Sequence, residues 1–313
     1  MIVADPVATE LTPDEIQAEI YQCHGTSMDD AGEIHTVDRV GFLYFLLNYV
    51  YILDPPPGEG TVKWKPWPYL VELAGYLVTV RLLVILKARQ LGISWLVAAY
   101  VLWLVLFRSG AKALLLSQGE VEATELRRKA RFMWSHLPPW LQMVTTKDND
   151  SALEFGGNDS GIQAFPSTQN AGSGFTGSVV VTDEHSKHPH AADNFGTVKP
   201  TIDAGGQFIS LSTASYLSDG SFFRNLYTAA KEGTNGFTAI FLGALLRPGR
   251  DEAWYQQMER ESSADPLTRL TFRQEYPLTE EAAWIIVAGV PVFDPDALQR
   301  LTAAVKAPMA EEV

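Results

Sequence analysis

The 313-residue chain has a single cysteine, Cys23. One thiol excludes an intrachain disulfide and any cysteine metal cluster, and it suits a reducing compartment. A long apolar segment is also missing. The longest run, Trp95 to Phe107, falls short of the roughly 18 residues a membrane span requires, which predicts a buried helix and no membrane association. The opening Met1-Ile2-Val3-Ala4-Asp5 lacks the basic start and apolar run of a signal peptide. Excess positive charge is absent too. A formal net charge of -13 does not suit a static phosphate clamp, so any contact with nucleic acid has to be local, transient or made by a ring of subunits. What remains is a chain 46% apolar and 19% charged, a balance that buries a core and argues against widespread disorder.

Three regions are expected: a helical lead-in over residues 1–60, a core over 61–220, and a smaller lid and linker over 221–313. Thr12-Pro13-Asp14-Glu15 combines an N-cap threonine, proline at the first helical position and Glu15 at N3, a helix start. Phe42 to Leu53 is aromatic and apolar, and Asp54-Pro55-Pro56-Pro57-Gly58 ends the lead-in. Short β-branched or leucine-rich runs then read as buried strands: Leu82 to Leu86, Ala111 to Ser117, Val179 to Thr182 and Phe208 to Ser212. Leu153 to Phe155 and Gly161 to Phe165 read as a strand pair, and Glu120 to His136 as an amphipathic helix stopped by Pro138-Pro139. Strands alternating with helices predict an α/β fold with a mainly parallel sheet covered on both faces. Beyond residue 220, Phe222 to Glu232 and Glu252 to Ser262 read as helices, Thr238 to Leu246 as one more strand, and the stretch after Ala264 as an irregular tail.

Between the first core strand and the helix that follows lies Lys87-Ala88-Arg89-Gln90-Leu91-Gly92-Ile93-Ser94. A loop ending at a helix N-terminus aims unpaired backbone N–H groups at one spot, which suits a phosphate. Gly92 and Ser94 keep their places in the common phosphate-loop pattern, but Ile93 stands where lysine is usual and Lys87 opens the loop. In this displacement the segment resembles the deviant phosphate loops of large terminase subunits, the DNA-packaging motors of tailed bacteriophages. The resemblance implies a P-loop ATPase in which residues 87–94 bind ATP, Lys87 reaches the β/γ-phosphates with Arg89 a second candidate, and Ser94 ligates Mg²⁺. Further on, Ser178-Val179-Val180-Val181-Thr182-Asp183-Glu184-His185 is an apolar strand ending in two acids, the Walker B arrangement. Asp183 is expected to hold Mg²⁺ and Glu184 to orient and deprotonate the attacking water.

Other stretches extend the resemblance over roughly residues 40–295. Ser210 to Ser215 is similar to the terminase coupling motif, pointing to Ser212, Thr213 and Ala214. Leu114-Leu115-Leu116-Ser117-Gln118 resembles the segment after the first crossover helix. Trp64-Lys65-Pro66-Trp67-Pro68-Tyr69 is similar to the adenine-binding segment, with Trp67 and Tyr69 able to stack on a base, although Leu70 stands where the family has glutamine. Phe272-Arg273-Gln274-Glu275-Tyr276-Pro277 looks like the stretch leading from ATPase to nuclease. Ser173 replaces the family's arginine ahead of Walker B, so a trans-acting finger has to come from elsewhere, with Arg127, Arg128 and Arg131 as candidates. The nuclease domain is expected to begin after Phe293-Asp294, which leaves it no room here, and no nuclease activity is expected. His185, His188 and His190 read as loop histidines rather than metal ligands. The implied function is an ATPase motor that drives double-stranded DNA into a prohead in the host cytoplasm. Its implied partners are portal protein, a small terminase subunit and copies of itself in a ring. A nucleotide-binding assembly module with little hydrolysis, or a helicase-like remodelling ATPase, are the alternatives.

Overall fold

A computed structural model describes residues 11–29, 33–169, 171–215 and 220–284. The lead-in begins with α1 (Pro13–His24), whose start is the expected capping box: Thr12 accepts from the Glu15 N–H, and the Glu15 carboxylate accepts the Thr12 N–H at 2.8 Å. It is not purely helical, however. Two antiparallel pairs, β1 (Thr26–Met28) with β2 (Ile34–Thr36) and β3 (Tyr51–Asp54) with β4 (Gly60–Lys63), bracket α2 (Asp38–Tyr49). The proline-rich segment after Asp54 is therefore a hairpin connection and does not end the lead-in. Phe42 and Phe45 of α2 are fully buried against the core.

The core follows as α3 (Pro68–Thr79), β5 (Leu82–Lys87), α4 (Ile93–Phe107), β6 (Lys112–Ser117), α5 (Glu120–Ser135), β7 (Thr145–Asn149), β8 (Ala152–Phe155), β9 (Ser160–Pro166), β10 (Val179–Asp183), α6 (Ala191–Val198) and β11 (Gln207–Ser212). After it come α7 (Gly220–Lys231), β12 (Thr238–Leu242), α8 (Glu252–Glu261), α9 (Pro266–Glu275) and α10 (Glu280–Ala283). Eight strands form one sheet in the order β12-β5-β11-β10-β6-β9-β8-β7. Every pairing from β12 to β9 is parallel, and the two pairings at the far edge, β9 with β8 and β8 with β7, are antiparallel.

Alternation along each strand divides the core in two. Leu83 and Ile85 of β5 enter one cluster with α4 and the lead-in, while Val84 and Leu86 enter a second with Phe208, Phe223 and Tyr227. A sheet buried on both faces explains why its central strands read as unbroken apolar runs. On the first face α4 is buried nearly all round, and the indole of Trp103 donates to the Cys23 carbonyl at 2.8 Å, tying the lead-in to the core.

Two expectations for the C-terminal part change. The strand from Thr238 stops at Leu242, because Gly243 and a short helical turn, Ala244–Leu246, follow it. The stretch after Ala264 is not an irregular tail. Asp265 caps α9 through the Thr268 N–H, with proline at the start of the helix. Phe293 and Asp294 lie outside the described residues.

Candidate active site

Parallel strands bring their C-terminal ends to one edge of the sheet, and in this order β5, β11 and β10 lie side by side. The loop leaving β5, the acids ending β10 and the hydroxyl residues ending β11 therefore meet. The β5–α4 loop turns through two left-handed residues, Gln90 at φ 60° and Gly92 at φ 75°. A side chain at position 92 would be strained by that φ, and its Cβ would stand 3.2 Å from the Leu70 side chain. Gly92 also leaves α4 without a side-chain cap, so the first-turn N–H groups face the adjoining cleft of about 200 Å³. Lys87, Gln90, Gly92, Ser94 and Lys129 line it.

The Lys87 ammonium, buried, donates to Glu184 Oε1 at 2.6 Å. The Ser94 hydroxyl donates to Asp183 Oδ2 at 3.1 Å, and the Glu184 N–H to Asp183 Oδ1 at 3.0 Å. Thr213, just past β11, donates to Glu184 Oε2 at 3.2 Å. Glu184 itself sits at φ 50°, ψ 43°, a left-handed conformation that a non-glycine residue holds only where its surroundings over-determine it. Burial favours the neutral form of every group here, but the charges oppose it. Burial raises the Glu184 pKa, yet Lys87 and Lys187 with their hydrogen bonds outweigh it and hold the carboxyl well below the usual range. Burial likewise pulls the Lys87 pKa down, and Glu184 and Asp183 more than restore it. Asp183 goes the other way: burial raises it, Lys87 offsets only part, and neighbouring Glu184 adds to the rise.

No family model matches the sequence. Among solved structures, a point mutant of the large terminase ATPase domain of Thermus phage P74-26 is similar at TM-score 0.53 and 18% identity, over 68% of this chain and 93% of that one. The large terminase of bacteriophage HK97 is similar at TM-score 0.53 and 14% identity, over 77% of this chain and 49% of that one. The chain has the fold of a phage large-terminase ATPase domain.

Within this terminase fold the remaining candidates are placed unevenly. Arg89 turns out of the cleft and forks onto Glu275 of α9, with Nη2 3.1 Å from Oε1. Ser212 is buried and accepts the Ser186 N–H at 3.0 Å, and Ala214 is buried beside it. The Tyr69 hydroxyl donates to the Leu91 carbonyl at 2.8 Å, so it braces the loop, while the Trp67 ring lies 5.3 Å from the Arg247 guanidinium. Ser117 at the end of β6 reaches the Asp183 carbonyl at 3.4 Å, and Ser173 is exposed.

The finger candidates are engaged within the chain. Arg127 is 3% exposed and paired to Asp148, Arg131 binds the same carboxylate at 2.7 Å, and Arg128 pairs with Glu125 and Asp150. Burial of Arg127 removes it as a group offered to a neighbour. Several residues at the site went unread in the sequence. Lys187 lies 3.2 Å from Glu184, Lys129 lines the cleft, and Arg250 donates to the Arg89 carbonyl and to Gln90 Oε1.

The histidines correct a further expectation. His190 remains partly exposed, but His185 and His188 are fully buried under the turn after β10, bonded to Ser210 Oγ at 2.8 Å and to the Asp183 carbonyl at 2.9 Å. Burial lowers the pKa of both, His188 to about 4. The unfolded chain takes up these protons below about pH 6.5 and the folded chain does not. Their contribution is therefore complete above about pH 6.5 and is lost as pH falls toward 4, at up to about 1.4 kcal/mol per pH unit for each ring. Urea unfolding across that window measures the slope, and His188→Gln is expected to flatten it.

Among the described residues no helix is long and apolar enough to cross a membrane.

Proposed function

We propose that this chain is the ATP-hydrolysing motor domain of a phage large terminase and powers movement of double-stranded DNA into a prohead. The observation that carries the reading is one sheet edge on which a buried lysine, a serine and two carboxylates lie within hydrogen-bond reach beside an uncapped helix N-terminus. Residues 87–94 would wrap the triphosphate, with Lys87 on its β/γ-phosphates. Ser94 Oγ and Asp183 Oδ2, 3.1 Å apart, are the hard oxygen donors that magnesium takes, and these two residues would hold it. The ion supplies charge neutralisation on the phosphate oxygens. Glu184 orients the attacking water and accepts its proton, and the chemistry is phosphoryl transfer to water driven by positioning. Thr213, bonded to Glu184, links the site to the coupling segment. Trp67 and Tyr69 flank the loop where a base would stack.

Portal protein, a small terminase subunit and a homo-oligomeric ring in the host cytoplasm complete the reading. The net charge of -13 fits a ring whose grip on DNA is local and transient. Ser173 in the arginine position and the pairing of Arg127, Arg128 and Arg131 within the chain favour a second reading, an assembly module that binds nucleotide and hydrolyses little alone. ATP turnover per chain at increasing protein concentration separates the two. Specific activity that rises with concentration supports a motor completed by its neighbours. Calorimetric binding of magnesium ATP with no turnover at any concentration supports the module, and no binding at all removes both.

A further inference from the structure

Glu184 is held from a second side by a residue that the proposed chemistry leaves unused. Lys187 closes the helical turn His185–Lys187, and its N–H donates to the Glu184 carbonyl at 2.8 Å. Its ammonium stands 3.2 Å from Glu184 Oε2 and 3.5 Å from Glu275 Oε1. The side chain is 18% exposed and that of Glu275 15%, so water competes little for either contact. Glu275 ends α9, and it holds the nucleotide loop twice, its carbonyl accepting the Arg89 N–H at 2.9 Å and its carboxylate receiving the Arg89 guanidinium. Five charges thus alternate in an unbroken chain: Lys87, Glu184, Lys187, Glu275, Arg89. It starts at the end of β5, crosses the turn after β10, reaches α9 and returns to the β5–α4 loop.

We propose that Lys187 is the positioning residue for Glu184 and that Glu275 anchors it, so that α9 fixes the orientation of the water-activating carboxylate. The inference rests on the reading of Glu184 as the group that receives the water's proton. In the present arrangement Oε1 belongs to Lys87, and Oε2 is shared by Lys187 and Thr213. A triphosphate in the loop draws the Lys87 ammonium to its own oxygens, since that is the role assigned to Lys87. Lys187 is then the cation still bonded to the carboxylate, and with Thr213 it fixes which oxygen faces the water. Lys187 does not line the loop cleft, so its loss acts on the chemical step and leaves nucleotide binding nearly untouched.

The expected signature is a split between the kinetic constants. Lys187→Met lowers kcat about tenfold to a hundredfold, the scale of a misplaced catalytic group, with KM within about twofold of the parent. Lys187→Cys shows the same loss, and alkylation with 2-bromoethylamine, which rebuilds an ammonium of nearly the same reach, restores kcat. Cys23 is fully buried, so the unmodified parent serves as the reagent control. If Glu275 acts through Lys187, Glu275→Gln lowers kcat in the parent and not further in Lys187→Met. An unchanged kcat in a folded Lys187→Met variant overturns the proposal, as does a loss in Lys187→Cys that alkylation does not repair, or multiplicative effects in the double variant. Glu184→Gln separates the two levels. If it turns over ATP normally, the reading of Glu184 itself is wrong. If it is inactive while Lys187→Met is not, only the positioning role fails.

Discussion

Glu184→Gln is expected to bind magnesium ATP as well as the parent and to lose turnover by about 10² to 10⁴-fold, the usual contribution of a positioned general base. The side chain keeps its length and its place between Lys87, Lys187 and Thr213, but an amide cannot accept the proton of the attacking water. Binding is spared for a specific reason. Glu184 occupies the Lys87 ammonium at 2.6 Å, and a neutral amide releases that charge for phosphate, so affinity holds or improves. The left-handed backbone at position 184 suits glutamine no worse than glutamate, and folding is expected to survive. Calorimetry with magnesium ATP and a phosphate-release assay on the same preparation give the two readouts. Near-normal turnover would remove Glu184 from the base role, while loss of both binding and turnover would mean that the substitution had disturbed the loop.

Much of this edge was legible because the central strands carry their burial in their letters. Leu82 to Leu86 and Val179 to Thr182 face apolar clusters on both sides, so they had to be continuous apolar runs, and the residues where such runs stop mark the sheet edge. Polar elements were not legible in the same way. Strand β7, Thr145–Asn149, is an antiparallel edge strand with mostly exposed side chains, and nothing in Thr-Thr-Lys-Asp-Asn alternates apolar with polar. Missing β7 also hid Asp148, and with it the reason that Arg127 is buried rather than offered to a neighbour. The start of α9 is written in the sequence as Asp265-Pro266, an N-cap followed by proline. The grip of Glu275 on Arg89 was not readable, because 186 residues separate the partners and either reads as a surface charge. His185 and His188 were misplaced for a related reason. Polar letters after a strand suggest a solvated loop, yet the turn folds His185 beneath the edge against Ser210, Phe222 and Phe223, with His188 against the His185 ring.

Lys87→Ala is expected to weaken magnesium ATP binding by roughly ten- to a hundredfold, the worth of one charge-assisted hydrogen bond at about 1.5–3 kcal/mol, and to abolish turnover. The position of the lysine at the front of the loop makes this a decisive substitution. Its ammonium already lies on the cleft, whereas Arg89 is forked onto Glu275 and half exposed, so Arg89→Ala is expected to cost less affinity. The equilibrium constants of the two variants identify the basic side chain that meets the phosphates. A structural explanation has to be separated from the chemical one, because removing Lys87 leaves Asp183 and Glu184 adjacent with Lys187 bonded to Glu184 and Lys129 acting on Asp183 to offset them. Like charges in a partly buried site destabilise the fold, and the single variant is expected to unfold at lower urea. The pair Lys87→Ala with Glu184→Gln removes that repulsion and is expected to recover stability without recovering affinity. Recovered affinity in the double variant would mean that the lysine serves the acids and not the nucleotide, and the phosphate-facing role would pass to Arg89 or to the backbone of the loop.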